Sequence, residues 1–221
     1  MAKRASGARA PRMPPADRRI QILEAARRRL ETTPLDDMSV ESVAREAGVS
    51  PGLLFHYFGS QRGFRQAVLE AAAAELLAHV RPDPALSPAE QLHTAITTFV
   101  TYVARYPSLY RAVTRLGSGA GVSSLHRSSR STLAGWLSAA LGTAGAPATP
   151  AVTLAIAGWL AYGEEIVLSW LDDPSMEQEA LVELCERGFY QLIRVALNDD
   201  DQWQCLLHAI TTANPGAPSG A

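Results

Sequence analysis

The sequence lacks the residue patterns typical of disulfide-rich proteins, zinc proteins and many enzymes. Its 221 residues include only two cysteines, Cys185 and Cys205, and no paired histidines at ligand spacing accompany them. We therefore expect neither a disulfide framework nor a zinc site, and this cysteine usage suits a reducing cytoplasm. The sequence also has no phosphate-binding loop, no paired carboxylates at metal spacing and no nucleophile beside a base, which disfavours an enzyme.

An uninterrupted apolar run that would suit a membrane span is also missing. The nearest stretch, residues 144–163, is broken by prolines, threonines and glycines, so we expect a soluble protein with no membrane partner. The first fifteen residues are basic but lack the apolar segment of a secretory signal. We interpret residues 1–15 as a disordered basic arm and residues 214–221, rich in Pro, Gly and Ser, as a disordered tail.

The residues that are present predict an all-α fold. Hydrophobic residues make up 47% of the chain, enough to bury a core in one or two domains. They recur at helical spacing, with no strand-like alternation and no internal repeat. The predicted helices span about residues 16–33, 40–47, 51–58, 64–80, 88–106, 108–116, 123–141, 151–171, 176–197 and 201–213.

The net charge of −2 hides an asymmetry along the chain. Residues 1–65 hold 12 Lys and Arg against 7 Asp and Glu, whereas residues 66–221 hold 8 against 15. Neutralisation of phosphates supplies most of the sequence-independent affinity for DNA. A basic amino-terminal part on an acidic body therefore fits a DNA-binding module joined to a domain that does not bind DNA. The same charges also fit, for some arginines, a solvated helix face.

Residues 39–64 predict two helices joined by a tight elbow. Ser39 is a good N-cap residue for the first helix, and Gly48 is placed to end it. Ser50 and Pro51 then supply an N-cap and a proline at the first helical position of the second helix. Such an elbow is the helix-turn-helix signature, although a simple hairpin of two helices has the same spacing.

A specific motif follows this elbow. It consists of Gly48-Val49-Ser50, Gly52, Leu54, the aromatic run Phe55-His56-Tyr57-Phe58, and Ser60. The motif resembles the DNA-binding segment of TetR-type transcriptional regulators, and the likeness covers about residues 17–74. The resemblance implies a three-helix DNA-binding domain at residues 16–76 and a helical effector-binding and dimerisation domain at residues 77–213.

The resemblance also implies which residues contact DNA. In such a domain the amino terminus of the second helix approaches phosphates and base edges. The candidate DNA-binding residues are Ser39, Ser50, Pro51, Gly52, Leu53, Phe55, His56, Tyr57, Gln61 and Arg62. Leu53, Phe55 and Gln61 each lack a polar group that the family commonly uses there. We expect Arg62 or Arg65 to compensate for the lysine that Gln61 replaces.

The predicted helix at residues 151–171 is apolar around more than one face, so it must be covered on both sides. With the helix that follows, it predicts half of a four-helix interface with a second copy. TetR-like proteins dimerise through such a pair, while a large monomer core is the alternative. The candidate interface residues are Leu160, Val167, Leu171, Leu181, Phe189 and Ile193.

Aromatic and polar residues of the same domain predict a ligand pocket. Ordinary core packing explains any one of them, but together they match a pocket with apolar walls and a few polar groups. The resemblance implies a small effector that lowers DNA affinity when it binds. The candidate pocket residues are Phe99, Tyr102, Tyr106, Tyr110, His126, Trp159, Tyr162 and Glu165.

The favoured interpretation is a homodimeric, cytoplasmic transcriptional repressor that binds double-stranded operator DNA. A small apolar or aromatic effector releases it, and no cofactor, metal or enzyme activity is expected. Two alternatives from other classes stay open: a helical protein-interaction module that retains the motif, and an enzyme built on a helical bundle.

Overall fold

The computed structural model of the protein describes residues 13–115 and 120–212. These residues form ten α-helices and one 3-10 turn, and none of them lies in a strand, so the predicted all-α class is confirmed. The first helix begins at Pro15, the last residue of the predicted arm. The rest of the arm up to residue 12, the predicted tail, and residues 116–119, which follow most of the predicted helix 108–116, lie outside the described residues.

The chain divides into two compact units, Met1–Val68 and Leu69–Ala221. The division falls inside α4 (Gln61–His79), the same helix in which the sequence placed the boundary at residue 76. The first unit therefore holds the helix-turn-helix motif, and the second holds the helices predicted to bind an effector and a second copy.

Unit 1 contains α1 (Pro15–Arg29), α2 (Val40–Glu46), α3 (Pro51–Phe58) and the start of α4. Helix α1 braces the other two, since its buried Ile22 belongs to the core of the unit. The Gln21 side-chain amide donates a 3.0 Å hydrogen bond to the Ala47 carbonyl at the end of α2. This bond satisfies one of the carbonyl groups that every helix end leaves unpaired.

The turn between α2 and α3 forms as the sequence predicts. Gly48 has a φ of 65°, a left-handed conformation that glycine adopts without strain. The Ser39 hydroxyl oxygen accepts a hydrogen bond from the Ser42 amide at 3.1 Å, and the Ser50 oxygen accepts one from the Leu53 amide at 3.2 Å. Both helices are therefore capped at their amino termini by the residues predicted to do so.

Unit 2 contains the rest of α4 and six further helices: α5 (Pro88–Arg105), α6 (Pro107–Arg115), α7 (Ala120–Thr143), α8 (Pro150–Asp172), α9 (Gln178–Leu197) and α10 (Asp200–Thr212). Its core is built mainly from α5, α8, α9 and α10. Helices α8 and α9 pack closely at Gly188, where an added Cβ atom would lie only 2.8 Å from the Tyr162 ring. The Trp159 indole also donates to the Cys185 carbonyl at 2.9 Å.

By length and composition, α8 is apolar enough to cross a membrane. It is the one such helix in the described part of the chain. Val152, Ile156 and Val167 on this helix are buried within the protein, and Glu164 and Glu165 interrupt its apolar sequence.

Candidate DNA-binding and ligand-binding sites

Helix α3 is anchored on one side and open on the other. Leu54 is fully buried, whereas Pro51, Gly52 and His56 are exposed. Phe55 is 39% exposed, an unusual degree for a large apolar ring. The exposed residues follow one another at helical spacing, so they share a face that the rest of the unit leaves uncovered. That face contains four of the predicted DNA-binding residues.

The two capping serines keep a free donor on this surface. Each hydroxyl oxygen of Ser39 and Ser50 accepts a backbone hydrogen bond, and the hydroxyl hydrogen is not used in that bond. A serine hydroxyl is both donor and acceptor. Either cap can therefore donate to a phosphate without giving up its role in the helix.

Tyr57 is half-buried, and its ring meets the His56 ring edge-on with centroids 5.7 Å apart. Leu53 is half-buried on the same helix, while Gln61 and Arg62 are exposed at the start of α4. The predicted residues of α3 therefore lie on one short helix. The first turn of α4, which carries Gln61 and Arg62, follows it directly in the chain.

Arg62 and Arg65, the two predicted substitutes for the missing lysine, differ in what they contact. The Arg65 guanidinium donates to the Asp36 carbonyl at 2.7 Å and lies 3.6 Å from its carboxylate. It therefore ties α4 to the 3-10 turn (Leu35–Asp37). Arg62 makes no hydrogen bond or ion pair with any described residue. Of the two, Arg62 is the arginine free to meet a phosphate.

A cavity of about 220 Å³ lies inside unit 2, with walls from α4 to α10 that are almost entirely apolar. Five of the predicted pocket residues line it: Phe99, Tyr102, Tyr110, His126 and Trp159. The Tyr102 hydroxyl is already committed, since it donates to the Ala72 carbonyl at 3.3 Å.

One polar cluster interrupts these apolar walls. Glu164 accepts from both sides, with one oxygen 2.9 Å from His126 Nε2 and the other 3.1 Å from an Arg130 nitrogen. Arg130 also donates to the Ala157 carbonyl at 2.8 Å. The three charged or titratable groups thus satisfy one another at the border of the cavity.

Three of the predicted pocket residues do not line this cavity. Glu165 is exposed and does not line the cavity, because the neighbouring Glu164 lies on the side of α8 that faces the cavity. Tyr106 is buried in the core beside Tyr102, with ring centroids 5.0 Å apart, and Tyr162 packs on Gly188. One of the missed residues had a helical signal, because Arg130 follows the predicted pocket residue His126 by four positions.

Comparison with known proteins finds relatives of part of this chain. The family model described as "Bacterial regulatory proteins, tetR family" matches residues 22–68, the part that contains α2 and α3. The HTH-type transcriptional regulator BetI of Stenotrophomonas maltophilia is 30% identical over 82 residues. The amino-terminal segment of this chain thus resembles the TetR family. The match covers 36% of this chain and 42% of BetI, so the chain spans less than half the length of that relative.

Solved structures of the TetR family share the fold over most of the chain. A TetR-family regulator from Streptomyces coelicolor has a TM-score of 0.79 at 20% identity and covers 93% of this chain and 94% of its own. FadR from Bacillus subtilis, solved with stearoyl-CoA, has a TM-score of 0.57 at 18% identity and covers 79% and 97%. At these identities the likeness concerns the fold.

The predicted dimer residues divide into two groups. Val167, Leu181, Phe189 and Ile193 are buried within the single chain, so they form its core and have no surface to offer a second copy. The interface itself stays a prediction. Leu160 and Leu171 are half-buried and keep some surface. The sequence missed two of the most exposed large apolar side chains on α8 and α9: Leu154 is 72% exposed and Val195 74%.

Cys185 lines the cavity with a buried thiol. Burial, and secondarily the Glu186 carboxylate, raises the pKa of the Cys185 thiol to about 11. It therefore stays protonated near neutral pH, and a thiol is neither a good nucleophile nor a metal ligand. No group of three or more His, Cys, Asp or Glu residues arranged to hold a metal ion occurs among the described residues.

Proposed function

We propose that this TetR-family protein is a homodimeric transcriptional repressor. It binds double-stranded operator DNA through the exposed face of α3 and leaves the DNA when a small apolar or aromatic effector fills the cavity. The observation that carries the proposal is the open face of α3, which lies in the segment that matches the family and in the basic part of the chain.

The first step is recognition of DNA. A helix of this motif enters the major groove, and its neighbours contact the phosphates. Ser39, Ser50, His56, Tyr57 and Arg62 supply donors for phosphates, and the exposed backbone at Gly52 permits close approach. Phe55 and Leu53 supply apolar contacts of the kind that suit a thymine methyl group.

The second step is pairing of two copies. Two-fold symmetry in the protein matches palindromic half-sites in DNA. We propose that α8 and α9 form the interface, because their outer faces carry Leu154 and Val195 in the open. In such a dimer the second copy would cover these two apolar side chains.

The third step is release by a ligand. An effector shifts the equilibrium only by its difference in affinity for the two states of the dimer. The cavity of unit 2 offers a site with apolar walls and a few polar groups, which is the usual composition of a ligand pocket. The FadR neighbour was solved with stearoyl-CoA, which supports the idea that a protein of this fold can bind a ligand with a large apolar part.

We assign DNA binding to residues 16–76 and effector binding and dimerisation to residues 77–213, in the cytoplasm and without a cofactor or enzyme activity. An open α3 face on a basic unit favours this function over an interaction module or a helical-bundle enzyme.

A salt series on DNA selected from a random pool by the full-length protein tests the function. We expect the logarithm of the association constant to fall linearly with the logarithm of salt concentration, by about 0.9 for each phosphate neutralised. Fluorescence anisotropy from 50 mM upward measures the slope. Failure to select any DNA, or a flat response to salt, would contradict the proposed function.

Arg62 and Arg65 provide a matched pair within the same turn of α4. Arg62→Gln removes one charge per protomer and two per dimer, so we expect the salt slope to shrink by about 2 and affinity to fall roughly tenfold. Arg65→Gln removes the same charge from a side chain already tied to Asp36. It should lower the melting temperature of the protein while leaving the slope nearly unchanged. Equal losses of slope in the two variants would refute the assignment of Arg62.

A further inference from the structure

Tyr110 carries an unused hydrogen-bonding group beside the cavity. Its side chain lines the cavity from α6, and its ring meets the Phe99 ring edge-on with centroids 5.4 Å apart. The hydroxyl is buried and has no hydrogen-bond partner among the described residues. Buried polar groups in folded proteins nearly always have a partner, so this hydroxyl calls for an explanation.

The Tyr110 hydroxyl is a neutral phenol that can donate a hydrogen bond to a ligand. Burial raises the pKa of this phenol far above its ordinary value, and the Glu164 carboxylate raises it further, while Arg130 opposes the shift. The group therefore keeps its proton throughout the physiological pH range. A partner that fits it best is an acceptor, such as a carbonyl or ether oxygen.

The charged groups at the cavity already pair with one another. Glu164 is held between His126 at 2.9 Å and Arg130 at 3.1 Å, and Arg130 also reaches the Ala157 carbonyl. A carboxylate or ammonium on the ligand would compete with one of these pairs, and it would lose its own hydration as it entered apolar surroundings. The cavity therefore favours an uncharged molecule.

The size of the cavity limits the apolar part of the ligand. An engineered apolar cavity of about 150 Å³ holds one benzene ring. The cavity here, about 220 Å³, is larger than that cavity but smaller than two of them together. One ring with a short substituent, or two fused rings, matches this space.

We propose that the effector is an uncharged molecule of one or two fused rings that bears a hydrogen-bond acceptor, and that Tyr110 donates a hydrogen bond to that acceptor. The proposal rests on the proposed function for the role of the cavity as effector site. It adds the chemical class of the ligand and the residue that selects it.

A cycle of two ligands and two proteins tests the proposal. 1-Tetralone and tetralin have nearly the same shape and differ by one carbonyl oxygen. Trp136 and Trp159 line the cavity, so indole fluorescence of the full-length protein reports binding of either probe. We expect Tyr110→Phe to weaken 1-tetralone binding about tenfold and to leave tetralin binding unchanged. The ligand-free variant should melt no lower than the wild type, because it loses an unpaired buried group.

Tyr102→Phe is the matched control within the same cavity. Its hydroxyl already donates to the Ala72 carbonyl, so its removal should not change the ratio of the 1-tetralone and tetralin affinities. Equal 1-tetralone affinities of wild type and Tyr110→Phe would overturn the donor role. Tighter binding of 1-naphthoate than of 1-tetralone, or no binding of either neutral probe, would overturn the ligand class. DNA binding is measured separately in the salt series, so failure of the regulator and failure of this inference are distinguishable.

Discussion

Replacing both Leu154 and Val195 with glutamate should separate the dimer and lower its affinity for a selected palindromic site by about two orders of magnitude or more. Each protomer would then bind its half-site alone, without the high local concentration that a linked second head provides. The effect is large because it removes an entire binding event rather than one contact.

The positions suit such a test because they are exposed within the single chain. Tyr162 of α8 lies against Gly188 of α9, and the two helices run in opposite directions. Leu154, eight residues before Tyr162, therefore lies at about the level of Val195, seven residues after Gly188. Two added carboxylates at one level would meet their copies across a two-fold axis, where like charges repel.

Sedimentation velocity and anisotropy on selected DNA measure the two effects together. A matched double variant, Ala139→Glu and Gln204→Glu, adds the same charge at exposed positions of α7 and α10 and should remain a dimer. A Leu154→Glu, Val195→Glu protein that stays dimeric at micromolar concentration would show that another surface forms the interface.

The predictability of the fold differs between the two units for a physical reason. Ser39, Gly48 and Ser50 act through local backbone chemistry, so caps and turn follow from the sequence alone. Burial in unit 2 depends on which neighbour covers each helix face. Val167 and Leu181 are apolar, as residues of a dimer interface commonly are, but α5 to α10 of the same chain already cover them.

The candidate sites show the same limit at the level of single residues. Glu164 and Glu165 are equivalent in composition, and a rotation of about 100° around α8 decides which one reaches the cavity. Arg62 and Arg65 are also alike in sequence. The tie from Arg65 to Asp36 depends on the position of a residue 29 places earlier, which helical spacing does not encode.

Tyr57→Phe should weaken binding to selected DNA about a hundredfold without changing the fold. We propose that the Tyr57 hydroxyl donates to a phosphate, and a hydrogen bond to a charged group contributes about 1.5 kcal/mol or more. A dimer loses two such bonds, or about 3 kcal/mol, which corresponds to a factor of about 100 or more. Phenylalanine keeps the ring contacts to His56 and Phe58, so the melting temperature should stay within a degree or two.

The same chemical change at Tyr110 serves as the control. Tyr110→Phe should leave DNA affinity without ligand unchanged and alter 1-tetralone binding, while Tyr57→Phe should do the reverse. Tyr57→Ala extends the test, since an interaction module would keep its partner when the ring is lost, whereas a DNA reader would fail to bind its site. If Tyr57→Phe binds selected DNA as tightly as the wild type, the hydroxyl has no phosphate partner. Recognition would then depend on the serine caps, His56 and Arg62.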